Sequence, residues 1–136
     1  MNGLNPIVVV SGARTPMGGM QGDFTTVTAS QLGSAAIGSA LQRAGLSGDD
    51  VDEVIIGNVL GAGQGQAPAR QASMGAGIPD SVGATTVNKM CGSGMKAAML
   101  GHDLLLAGSS NVVVAGGMES MTNAVSYTHL TLPTKA

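Results

Sequence analysis

The one cysteine of the chain, Cys91, stands in the stretch VNKMCGSGMKAAM, with glycine at positions 92 and 94 and serine between them. A thiol attacks a carbonyl as its thiolate, and negative charge is favoured where a helix begins, because the first N–H groups lack intrahelical partners. Glycines at 92 and 94 leave room for an acyl group to approach, and Ser93 can help cap the turn. Backbone N–H groups at the helix start can also polarise a carbonyl as an oxyanion hole does. The chemistry such a site would perform is covalent acyl transfer. Free cysteine is equally one of the most buried residue types and often only packs. Spacing alone leaves Cys91 open between nucleophile and core residue.

A nucleophile of this kind needs a base. His102 lies eleven residues further along the same expected helix, about 16 Å away at the usual rise per residue, and is read as a partly exposed helix residue. The other histidine, His129, falls in the C-terminal tail. No complete Cys/His pair is expected within the chain.

Other candidates carry less. GAGQGQ follows an expected strand as a phosphate-binding loop would, but the third glycine of a dinucleotide fingerprint is replaced by Gln66. A loop that turns the chain is the better reading. The alternative it leaves is a non-catalytic nucleotide-binding α/β module with Cys91 in its core. Glu119 in GGMES is a candidate buried acid at a strand end, where active-site groups gather, or a structural hydrogen-bonding residue. Arg14 and Arg70 read as structural or interface cations. Met90, Met95, Met99, Met118 and Met121 read as core filler.

The elements that must position these groups follow from periodicity. Residues 7–11, IVVVS, are β-branched and are stopped by Gly12 and Pro16, which predicts a buried strand. From Thr28, apolar residues recur on one helical face through Ala44. Thr28 and Gln31 have capping-box spacing, and Gly45 stands where a left-handed cap belongs. A second strand is expected at 54–59, a weak helix at 67–76, a third strand at 84–88 and a fourth in NVVVAGG. Residues 92–107 are apolar on most sides, which predicts a buried helix. Strands alternating with helices imply an α/β class with a mainly parallel sheet covered on both faces.

At 136 residues, 43% hydrophobic and 10% charged, the chain has the composition of an ordered domain or part of one. A net charge of −2, with no basic run, gives no footprint for nucleic acid. A single cysteine excludes an internal disulfide and a cysteine-based metal site, and it fits a reducing compartment. The N-terminus lacks the pattern of a signal peptide and no apolar run reaches membrane-spanning length. The expected location is cytoplasmic, with no membrane partner. Residues 125–136, VSYTHLTLPTKA, hold the only tyrosine and break from the Gly/Ala/Met-rich body. They read as a non-native tail, and a sequencing-adapter string would spell 125–134 codon by codon.

VVVSGARTPMGG, GQAPARQA, TTVNKMCGSGMKA and VVVAGGMESMTNA occur in one order across residues 6–124, and together they resemble the N-terminal part of a thiolase of the acetyl-CoA C-acetyltransferase type. The resemblance divides the chain into a partial thiolase N-terminal domain at 1–124 and the tail at 125–136. It implies the layered αβαβα thiolase fold, with four strands and three helices of the N-terminal half present. It also implies that Cys91 is the acyl-accepting catalytic cysteine. An acyl-CoA is the implied partner, with acetyl-CoA and CoA as substrate and product and no further cofactor or metal, and the parent enzyme is implied to be a homodimer or homotetramer. The activating histidine, the Gly-His-Pro segment and the second, acid/base cysteine of the family have no counterpart here. The chain is accordingly expected to be a truncated, inactive part of such an enzyme.

Overall fold

The computed structural model describes residues 6–124. In chain order these form helix α1 (Ala29–Ala44), a single 3-10 turn (Gly48–Asp50), strand β1 (Glu53–Gly57), helix α2 (Pro68–Gly75), strand β2 (Gly83–Val87), helix α3 (Ser93–Leu106) and strand β3 (Val113–Gly117). The three strands form one parallel sheet in the order β2-β1-β3. The first βαβ crossover runs from β1 to β2, and the second runs back in the opposite direction from β2 across β1 to β3. Because crossovers of one hand then fall on opposite faces, α2 joins α1 on one side and α3 covers the other.

The termini of α1 obey local chemistry. The Thr28 hydroxyl accepts from the Gln31 amide at 3.2 Å and the Gln31 side chain accepts from the Thr28 amide at 2.9 Å. Gly45, at φ +69°, closes the helix in the left-handed conformation that glycine adopts without a steric penalty. β1 is the centre of the sheet and its residues Val54 to Gly57 are all buried. Val54 and Ile56 enter a core with Ile37 and Leu41 of α1, Ala69 and Ala72 of α2, and Met118. Burying each of the larger aliphatic side chains stabilises the fold by about 1.5–3 kcal/mol. The two helices on this face are also stitched by the Ser34 hydroxyl, which donates to the Ala72 carbonyl at 3.0 Å.

The opposite face shows a different kind of packing. Its buried helical residues are Ser93, Ala97 and Gly101, one small residue per turn of α3. A Cβ on Gly57 would collide with the Ser93 backbone, and one on Gly117 would lie 3.2 Å from the Gly94 Cα. Glycine at these positions lets the start of α3 rest directly on the ends of β1 and β3.

Three expectations are corrected. Residues 7–11 form no strand: Val8, Val9 and Val10 are 63%, 93% and 69% exposed, and the sheet has three strands where four were expected. Strand propensity is realised only where a ladder partner and a covered face are available, and neither meets this segment among the described residues. The helix read as buried all round, α3, is covered on one stripe only. Met95 and Met99 are 74% and 52% exposed, because a single sheet can cover just one face of a helix. Met90, on the turn before α3, and Met121, after β3, are exposed too, so of the methionines read as core filler only Met118 is buried. The proposed tail, 125–136, lies outside the described residues.

Candidate functional site

Cys91 follows β2, at the carboxyl end of the parallel strands, on the turn that leads into α3. It is exposed, so it is not a packing residue of this core. The turn beneath it is closed by hydrogen bonds at nearly every step. The Asn88 side-chain oxygen accepts from the Met90 amide at 3.0 Å. The Ser93 hydroxyl accepts from the Lys89 amide at 2.8 Å and donates to the Met90 carbonyl at 2.6 Å. The amides of Gly92 and Ser93 donate to the carbonyls of Lys89 and Met90, each at 3.1 Å. These two N–H groups are therefore engaged in the turn, which corrects the expectation that the amides beside Cys91 are unpaired. Met90 itself stands at φ +50°, a conformation that a residue with a Cβ rarely holds.

His102 is exposed towards the other end of α3, where its ring nitrogen lies 3.5 Å from the Asp103 carboxylate. Helix geometry keeps it away from Cys91, as the spacing predicts. His129 lies outside the described residues.

Glu119 is half-buried and makes the hydrogen bonds that the structural one of its two candidate roles calls for. Its carboxylate accepts from the Asn58 side chain at 3.1 Å and from the amides of Val59 and Leu60 at 3.0 Å each. Asn58, buried at the end of β1, also donates to the Met118 carbonyl at 3.1 Å. This cluster bridges the ends of β1 and β3, the point where the strand order reverses and where ligands of open α/β sheets usually sit. Asn58 escaped the sequence reading, although a polar residue directly after VIIG is a legible sign of a strand end. Asn88 was read only as the last residue of a strand.

GAGQGQ is a turning loop. Gln71 reaches back from α2 and donates to the carbonyls of Gln64 and Gln66 at 2.7 and 2.6 Å, while the Gln64 side chain donates to the Leu60 carbonyl. A phosphate cradle needs its polar groups directed at a ligand; these close the loop on itself. Arg70, read as a structural or interface cation, donates to the Asp80 carbonyl at 2.7 Å. Arg14 is exposed and borders a cavity of about 410 Å³ that Phe24, Leu32, Met118 and Met121 also line. A second cavity of about 290 Å³ is bordered by Thr28, Ser30, Gln64, Gln71 and Asn123. Cys91 lines neither. Among the described residues no cluster of His, Cys, Asp or Glu has the grouping to hold a metal ion.

Comparison with known proteins bears on this geometry. Residues 7–134 match the family described as thiolase, N-terminal domain. The cytosolic acetyl-CoA acetyltransferase of Gibberella zeae is 54% identical over 127 residues, covering 93% of this chain and 32% of that protein. The mitochondrial acetyl-CoA acetyltransferase of Xenopus tropicalis is 56% identical over 120 residues, 88% of this chain and 29% of that protein. The crystal structure of the Acat5 thiolase from Ascaris suum in complex with coenzyme A superposes with a TM-score of 0.83 at 41% identity, covering 85% of this chain and 30% of that one. The chain thus spans about a third of the length of the curated relatives it matches.

Proposed function

The chain belongs to the thiolase family, and on that footing we propose that it carries the acyl-accepting centre of an acetyl-CoA C-acetyltransferase, with Cys91 as the nucleophile. The observation that carries this reading is the exposed thiol on a tightly bonded turn at the carboxyl end of the sheet, within the motif NKMCGSGMKA. In the reaction the Cys91 sulfur attacks the thioester carbonyl of one acetyl-CoA, and CoA leaves as its thiolate and is protonated. A second acetyl-CoA, deprotonated at its methyl carbon, then attacks the acetyl-enzyme. Acetoacetyl-CoA forms and Cys91 is released; thiolysis is the reverse. Splitting the transfer at a covalent intermediate is the general advantage of such a nucleophile.

The relatives' names support an acyl-CoA as the substrate, and no cofactor beyond acetyl-CoA and CoA enters the scheme. The wider assignments are a role in fatty acid metabolism, a cytoplasmic location and a homodimeric or homotetrameric parent. The named relatives include cytosolic and mitochondrial forms, and no helix among the described residues is long and apolar enough to cross a membrane.

The 136-residue chain holds the nucleophile without the family's activating histidine and second cysteine. A thiol-directed reagent is expected to label it weakly at Cys91, and acetoacetyl-CoA with CoA should show no turnover. Robust thiolysis by the purified chain overturns the proposal that the missing groups are required.

A further inference from the structure

We infer that Ser93 is a positioning residue for Cys91, an inference that rests on the acyl-accepting role proposed for that thiol. Ser93 is 4% exposed, yet both hydrogen-bonding capacities of its hydroxyl are used, and both point backwards into the turn and not along its own helix. The residue they hold, Met90, stands at φ +50° while its side chain is 67% exposed. A left-handed conformation at a residue with a Cβ is unfavourable in itself and persists only where its surroundings impose it. Side-chain packing does not impose it here, since the Met90 side chain is largely in solvent. The restraints are the Asn88 oxygen on its amide and the Ser93 hydroxyl and amide on its carbonyl.

Ser93 is in turn fixed to the sheet, because Gly57 has no Cβ to hold its backbone away. The hydroxyl therefore carries the rigidity of β1 into the turn and sets the direction in which the next residue, Cys91, presents its sulfur. Without it, Met90 can relax to a right-handed or extended conformation and the thiol loses its fixed aim. Attack on a carbonyl depends on approach geometry; alkylation of an exposed thiol by a small halide depends on it far less.

The test compares two reagents on the 136-residue chain. With p-nitrophenyl acetate, the Cys91 sulfur bonds the acetyl carbon, the ester C–O bond breaks, p-nitrophenolate leaves and the thiol proton passes to solvent. With iodoacetamide, the same sulfur bonds the methylene carbon, the C–I bond breaks, iodide leaves and the thiol proton passes to solvent. Ser93→Ala should slow acetylation about tenfold while changing alkylation by less than about threefold. Adding Met90→Gly to Ser93→Ala should recover part of the lost rate, because glycine adopts positive φ without the hydroxyl's help. Acetylation of Ser93→Ala at the wild-type rate overturns the inference. Equal slowing with both reagents, with no recovery on adding Met90→Gly, also overturns it and leaves Ser93 as a purely structural residue. A wild-type chain that is alkylated but never acetylated overturns the inference as well, since the turn then aims no acyl-accepting thiol; the family role of Cys91 is judged separately, because this chain holds no activating histidine.

Discussion

Two polar centres lie at the carboxyl end of the same sheet and use their hydrogen bonds to opposite ends. At the ends of β1 and β3, the Glu119 carboxylate is occupied by Asn58 and the amides of Val59 and Leu60. On the turn after β2, the polar groups of Asn88, Lys89, Met90, Gly92 and Ser93 bond one another, and the one reactive heteroatom, the Cys91 sulfur, faces outward. In the first centre the chemically capable group is consumed by holding the fold. In the second, ordinary backbone and hydroxyl groups do the holding. A reactive side chain at a strand end becomes a candidate for chemistry only when other atoms maintain the structure around it.

The comparison can be broken most sharply at the sulfur. Cys91→Ala should abolish thiol labelling completely and leave the thermal transition nearly unchanged, since an exposed side chain contributes little packing; mass spectrometry of the labelled chain and a melting curve read both. A large drop in Tm would return Cys91 to the core.

Gly57→Ala tests the close contact on which the turn is built. Its methyl group collides with backbone that cannot rotate away, so a loss of about 3 kcal/mol is expected in urea unfolding, with alkylation of Cys91 changed as the start of α3 lifts. Stability at the wild-type level would show that α3 does not rest on β1 as described.

Glu119→Ala leaves two backbone amides without their acceptor and removes one of the two bonds that the Asn58 side chain donates, its bond to the Met118 carbonyl remaining. A loss of about 2 kcal/mol is expected for such unsatisfied groups, with Cys91 labelling by iodoacetamide within about twofold of wild type. A change in labelling larger than the change in stability would show that the two centres are coupled.

The smallest effect concerns Asp52, which precedes β1 and accepts from the amides of Asn111 and Val112 at 2.7 and 3.0 Å. Those bonds, the Asn111 amide first, hold its carboxyl below the ordinary aspartate range. A depressed folded-state pKa contributes stability that is present above the unfolded value and lost as pH falls through the folded one. Wild type should therefore lose urea resistance on acidification through that range, and Asp52→Asn should lose less. Parallel curves for the two proteins would remove Asp52 as a contributor.

What the sequence made legible was local. Thr28, Gln31 and Gly45 announce the ends of α1 because capping is settled within one helical turn, and the apolar run of β1 announces a strand buried on both faces. GAGQGQ was readable as a turn because its incomplete glycine pattern argued against a phosphate site. The fate of residues 7–11 was not readable, since a β-branched run carries no information about whether a ladder partner will meet it. The exposure of Met95 and Met99 was equally hidden, because apolar character records what a helix can bury and not what covers it.

From its sequence alone, this chain was an α/β polypeptide with one thiol at the start of a helix, in motifs that resemble a thiolase. Residue types and short-range spacing suffice for that much, since helix periodicity, caps and turns depend on neighbours along the chain. Only the tertiary structure decided that Cys91 is exposed, that Glu119 is occupied, and that the start of α3 rests on Gly57 of β1. Those outcomes depend on which groups β1, β3 and α3 bring together, and hydrogen bonds between groups up to about sixty residues apart leave no periodic trace in a sequence.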